Sequence, residues 1–176
     1  MRLPHLLLLL SILTATMAMA APSPAPEATV NDLFTYLLSR KHDITKDSAA
    51  QNRWLTKDVR HSLATAEAAS SKAAKAHPNE QVDSPDNGTF LAAWDPPTSF
   101  KITATKVKDT TATVDLLFTW GPKTEYPGET RKMTVLLSQE DGAWRVTDIH
   151  SHPAKFNKAS TLLGDLRDLR DLAKQH

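Results

Sequence analysis

Hydrophobic positions along the chain change period more than once, and each change predicts an element. Val30, Leu33, Phe34, Leu37 and Leu38 recur at three- and four-residue spacing after Pro26 and Glu27, which predicts an amphipathic helix. The polar stretch SRKHDITKDSAAQN reads as a connection. In RWLTKDVRHSLATAEAASSKAAKA, the residues Leu55, Val59 and Leu63 make a second helical stripe. Thr56 is a candidate N-cap there, and Asp58 suits the positive end of the helix dipole. Beyond Ala64 the segment is rich in alanine, which propagates a helix but buries little area, so thin packing and fraying near Ala76 are expected. The turn formers of HPNEQVDSPDNG then predict a surface loop.

From Phe100 the period is two. Phe100, Ile102 and Ala104 share one face, and Ala112, Val114, Leu116, Phe118 and Trp120 alternate with Thr111, Thr113, Asp115 and Thr119. KDT joins these strands in a tight turn; GPKTEYPG leads to a third strand in which Met133, Val135 and Leu137 share a face, and QEDG to a fourth. TFLAAW is compatible with a short additional strand. In the fourth strand Ile149 is out of phase with Trp144 and Val146, so a bulge near Thr147 and Asp148 is needed to bury all three. Helices followed by a meander predict the α+β class, with the N-terminal helices on one face of an antiparallel sheet. The tail STLLGDLRDLRDLAKQH adds a C-terminal amphipathic helix: Leu162, Leu163, Leu166, Leu169 and Leu172 lie on one side, with Arg167 and Asp171 four apart on the other. Packing back on its own domain is the expected fate of that stripe.

The chain ends change this picture in one respect. Arg2, the apolar run Leu6 to Leu13 and the small-residue motif Ala18-Met19-Ala20 have the layout of a secretory signal peptide, and the run is too short for a membrane span. The domain reading is therefore residues 1–20 as signal peptide, 21–27 as a Pro/Ala-rich lead, 28–152 as one α+β domain and 153–176 as the C-terminal helix. The expected product is exported, periplasmic or secreted, and without stable membrane insertion. With no cysteine in the chain, neither a thiol-linked lipid nor a disulfide is available, and stability must come from burial. Removing Arg2 leaves basic and acidic residues formally equal in number, so nothing favours phosphate recognition and no nucleic-acid partner is expected.

ATVNDLFTYLL, FLAAWDPPTSFKITATKV and GAWRVTDI together give the chain a likeness to a known group. It resembles the nuclear transport factor two-like, or cystatin-like, superfamily, and within it a group of exported bacterial domains of unknown function. The resemblance covers roughly residues 28 to 151. It implies a cone-shaped fold, in which helices lie in the concavity of a strongly curved antiparallel sheet with a pocket at the wide end. Members include isomerases, dehydratases, transport adaptors and inhibitor-like proteins, so the resemblance implies a fold and leaves activity open.

An isomerase on such a scaffold needs an inward carboxylate as base and a donor for the developing oxyanion. The candidate pocket residues are Tyr36, Trp94, Asp95, Trp120 and Asp148. In AWDPPT, the prolines stiffen the chain while Trp94 inserts into apolar surroundings, and Asp95 either accepts backbone donors in a turn or acts as a base at a pocket rim. Asp115 falls on the threonine face of its strand, expected to be solvated. Tyr126, Pro127 and Gly128 form a candidate hairpin tip where binding residues could sit. His150 and His152, at i and i+2, could point to one side and share a metal, but no HExxH or other spaced partner accompanies them; a strand exit is the preferred reading, and no cofactor is expected. With no catalytic constellation in view, the reading is an exported non-catalytic binding domain for an envelope protein or a small apolar molecule. The alternatives are a small acid/base enzyme using the pocket, and an inhibitor or immunity-type interaction protein. A homodimer through the open sheet face is compatible with such a fold.

Overall fold

The structure, a computed structural model, describes residues 25–39, 41–153 and 158–175. The signal-peptide motif and most of the lead lie outside the described residues. Helix α1 (Pro26–Leu38) starts within the segment read as lead, because proline at the first helical position loses no hydrogen bond. It buries Val30, Leu33, Phe34 and Leu37 of the expected stripe, with Leu38 half-buried against the same core.

The polar connection and the second helix differ from the sequence expectation. A 3-10 turn (Ile44–Lys46) and helix α2 (Ser48–Trp54) occupy the stretch read as a loop. Aspartates start both: Asp43 accepts from the Thr45 amide, and Asp47 from the Ala50 amide, each replacing an absent intrahelical acceptor. Gln51 then closes the turn by donating to the Ile44 and Thr45 carbonyls. At Leu55 the helical path breaks. Leu55 forms an isolated bridge with Val146, and the Thr56 amide donates to the Val146 carbonyl, so tertiary pairing overrides the helical periodicity. Helix α3 (Lys57–Ala76) restarts with Thr56 as its cap and ends where alanine runs out. Helix α4 (Asn87–Leu91), closed by a capping box between Asp86 and Thr89, replaces the short strand suggested for TFLAAW.

Strands β1 (Ser99–Lys108), β2 (Thr111–Thr119), β3 (Thr130–Glu140), β4 (Ala143–Ser151) and β5 (Ser160–Thr161) form one open antiparallel sheet in sequence order. Between β3 and β4, Asp141 and Gly142 both take positive φ, the geometry of a tight hairpin turn and the reason glycine serves at position 142. The β3/β4 register jumps from Leu136 opposite Asp148 to Leu137 opposite Val146, leaving Thr147 as the extra residue of the expected bulge. Trp144, Val146 and Ile149 are all buried as a result. A second bulge lies in β1, where Thr103 is skipped; this turns Ala104 to the outer face opposite Asp115, away from the Phe100 and Ile102 side to which simple alternation assigned it.

One face of the sheet is covered. Phe34 of α1 meets Phe118 and Phe100 with ring centroids 5.3 and 5.8 Å apart, in tilted or edge geometry. Ala112, Val114, Leu116, Met133, Val135 and Leu137 complete that layer. The C-terminal helix α5 (Leu162–Leu172) packs back against α3 and β4, and Leu162 and Leu166 join the same core. Its leucine stripe divides, however: Leu169 and Leu172 fall on a cleft, and Leu172 is exposed. Among the described residues, no helix is long and apolar enough to cross a membrane.

Candidate functional site

The candidate pocket residues fall in three places. Tyr36 lies on α1, where its hydroxyl donates to Asp47 at 2.9 Å and its ring stacks on His42 and meets Trp54 edge-on. Burial and the Asp47 carboxylate push this phenol up to about 12, so it stays protonated and joins α1 to α2. Asp148, re-aimed by the bulge, accepts through Oδ1 from the Ile149 and Leu163 amides, and its Oδ2 lies 3.1 Å from His150 Nε2. The Leu163 amide is one of the unsatisfied donors at the start of α5, so Asp148 holds that helix to the sheet.

Trp94, Asp95 and Trp120 do come together. Buried Trp120 donates its indole N–H to the Asp95 carbonyl at 2.8 Å, and the Asp95 carboxylate accepts from the Glu125 amide at 2.7 Å. Asp95 thus pins the AWDPPT segment to the hairpin tip. Trp94 does not insert into apolar surroundings: it is 89% exposed. The preceding Ala92 takes the left-handed conformation, φ 48° and ψ 39°, which ends α4 and redirects the chain outward.

Beneath Trp94 opens a cleft of about 380 Å³ between α4, the hairpin tip and α5. Ala92, Ala93 and Gly88 supply one wall, Tyr126 and Trp94 another, and Leu169 and Leu172 a third. Gly88 is required by close approach, since a Cβ there would stand 2.9 Å from the Ala93 carbonyl oxygen. Arg131 reaches the cleft from an inward position of β3 and is 3% exposed. Its Nη1 donates to the Ala92 carbonyl at 2.6 Å, its guanidinium lies 4.9 Å over the Trp120 ring, and Glu129 Oε1 stands 3.9 Å from Nη2. Burial lowers the proton affinity of this guanidinium, while Glu129 and Tyr126 act in the opposite sense; it remains charged at neutral pH.

Among the described residues, four carboxylates, Asp83, Asp86, Asp165 and Asp168, share the cleft with Arg131 as its one basic side chain. Asp86 caps α4, and Asp165 accepts from the Ser160 hydroxyl at 3.0 Å. Burial raises the Asp165 carboxyl above its ordinary range; the Ser160 bond opposes this, and the neighbouring Asp168 and Asp148 charges add to it. Arg131 had a sequence signal that alternation reveals once the register is known: it continues the inward series Met133, Val135, Leu137 with a charge. Asp165 and Asp168 carried none, because carboxylates interleaved with a leucine stripe read as the ordinary charged flank of an amphipathic helix.

His150 lies on the outer side of β4, and His152 just past its end. His152 Nε2 is 2.9 Å from Thr134 Oγ1, and Thr134 donates to Asp115 Oδ1 at 2.8 Å. A hydroxyl has one proton, and here it goes to the carboxylate, so His152 must donate to Thr134. The polarity of the chain is therefore opposite to that of a histidine base activating a hydroxyl. Among the described residues, no group of three or more histidine or carboxylate side chains is arranged to hold a metal ion. No family model, no curated protein and no solved structure matches this chain.

Proposed function

We propose that the protein is an exported, non-catalytic binding domain, and that the cleft under Trp94 is where it takes a segment of an envelope protein or a small apolar molecule. The observation that carries this reading is the placement of exposed apolar side chains. Among the described residues the large exposed hydrophobics are Trp94, Val107 and Leu172, and two of them line this one cleft. Scattered exposed hydrophobics need no explanation, but an aromatic ring left in water beside a cavity loses burial energy that a ligand could restore.

The backbone that carries Trp94 is also preorganised. Its neighbour Asp95 is held through both its carbonyl and its carboxylate, and Pro96 and Pro97 restrict the following backbone, so a ligand meets a segment already in place. Membership of the nuclear transport factor two-like superfamily, with its cone-like sheet, belongs to the same proposal. It is supported by a five-stranded antiparallel sheet in sequence order carrying helices on one face, and by bulges in β1 and β4 that increase local twist. Export is supported by the charged start, apolar run and Ala-x-Ala motif of residues 1–20.

Titration with the neutral fluorophore N-phenylnaphthylamine tests the site. Saturable binding is expected in the parent protein, with at least about a tenfold loss in Trp94→Ala, as befits a central aromatic contact. Val107→Ser should bind like the parent. Equal binding by Trp94→Ala and the parent would refute the assignment, and no saturable binding at all would remove the small apolar molecule from it.

A further inference from the structure

We propose that the cleft's ligand is an arginine or lysine side chain presented by an exposed segment of a partner protein, its methylenes on Leu169 and Leu172, its charge between the Trp94 ring and the carboxylates of Asp165 and Asp168. This rests on the reading of the cleft as the binding site and names the partner that its chemistry selects.

Charge complementarity carries the assignment. Among the described residues, Arg131 is the single guanidinium of the cleft and is largely engaged by the Ala92 carbonyl, the Trp120 ring and nearby Glu129, leaving four aspartates to set the sign of the field at the opening. An anionic ligand seeking Arg131 would have to pass those carboxylates. A cation is drawn in, and Arg131 keeps it off the floor, so that it settles toward α5. There Asp165 and Asp168 stand one helical turn apart, at i and i+3, on the same side as Leu169 and Leu172. An exposed indole attracts cations through the negative face of its ring, and the stems of arginine and lysine are apolar while their heads remain polar. An apolar wall, an aromatic face and carboxylates within one cleft thus match the three parts of a long basic side chain. The opening of the cleft at the surface, with Trp94 standing proud of it, suits a chain segment passing across the rim.

Two-dimensional NMR of the ¹⁵N-labelled protein provides the test, with three probes: acetyl-Leu-Arg-Leu-amide, its neutral isostere in which citrulline replaces arginine, and argininamide alone. The arginine peptide should shift the Trp94 indole and the Leu169 and Leu172 amides, and should bind about fivefold to tenfold more tightly than the citrulline peptide. Combining Asp165→Asn with Asp168→Asn should abolish that preference, whereas Trp94→Ala should weaken both peptides. If the citrulline peptide binds as well as the arginine peptide, the cationic assignment is overturned while the cleft remains the binding site. If argininamide alone matches the arginine peptide, the protein-segment partner is overturned in favour of a free cationic molecule. If neither peptide moves these signals up to about 10 mM, this inference fails, and the neutral fluorophore then decides separately whether the cleft binds anything.

Discussion

Replacing Asp148 with alanine should release the start of α5 while leaving the rest of the sheet intact. The side chain is 15% exposed and bridges two elements: Oδ1 accepts from its neighbour Ile149 at 2.9 Å and from Leu163, in the first turn of α5, at 3.1 Å. A hydrogen bond to an ionised partner contributes about 1.5–3 kcal/mol net. The bond to the adjacent residue is geometrically constrained and is formed readily by the unfolded chain, so only the Leu163 bond counts in full. The His150 contact is half exposed and contributes little. The expected loss is therefore about 2 kcal/mol for Asp148→Ala, and roughly half of that for Asp148→Asn, which keeps an acceptor and loses the charge.

Where that loss is felt is the sharper part of the expectation. Helix α5 contributes Leu162 and Leu166 to the core, and burying two leucines stabilises its docking by about 3–6 kcal/mol before the cost of ordering the helix. A deficit of about 2 kcal/mol at its first turn is a large share of what remains, and corresponds to about a 30-fold rise in local opening. Native-state hydrogen exchange should show that acceleration in the amides of Leu162–Leu172, with far smaller changes in β2 and β3. An unchanged exchange pattern in α5, or acceleration spread evenly over the sheet, would refute the view that Asp148 is a helix anchor and return it to the candidate ligand residues.

Arg131→Met should destabilise the fold by about 3 kcal/mol, because Glu129 and the Ala92 carbonyl lose a buried cationic partner; urea denaturation measures it, and adding Glu129→Gln should recover a substantial part. A loss that Glu129→Gln leaves unchanged would show that Arg131 acts through packing on Trp120 alone. Asp165→Asn should stabilise the protein at neutral pH. Since folding raises this carboxyl above its unfolded value, ionisation of the folded state is penalised; the penalty is removed as pH falls from the folded toward the unfolded value, so the advantage of the variant should shrink over that interval. Parallel stability-against-pH curves for the two proteins would contradict it.

The parts of this fold that alternation decides were legible in the chain. β2 and β3 bury every second residue, and in β4 the phase error at Ile149 located a bulge one residue wide, because a period of two leaves no other way to bury Trp144, Val146 and Ile149 together. The misreadings occurred where a tertiary contact outranked a local pattern. Leu55 carries helical periodicity with Val59 and Leu63, yet its backbone is claimed by Val146, and nothing within the segment announces a partner so distant in sequence. Asp43 and Asp47 each start a helical turn inside the stretch read as a connection, and the helix that Asp47 caps spans only Ser48–Trp54, too short for periodicity to reveal.

The candidate site was legible only in fragments, for a reason that concerns how such a cleft is made. AWDPPT stands out by composition, and Tyr126 by its place in a glycine- and proline-rich turn, but composition cannot tell whether tryptophan faces a core or water. That choice is made by the left-handed Ala92, which turns the chain outward, and by Asp95, which anchors it there. The opposite wall comes from α5, whose leucine stripe is longer than the core it covers: Leu162 and Leu166 are used in packing, while Leu169 and Leu172 line the cleft. A stripe that outlasts its core is a surface with no internal partner, and the acidic residues interleaved with it then decide the sign of what can occupy it. The anchor at Asp148 and the surface at Leu172 are thus opposite ends of one device, since the first fixes where the helix starts and thereby how far its last leucine projects over the cleft.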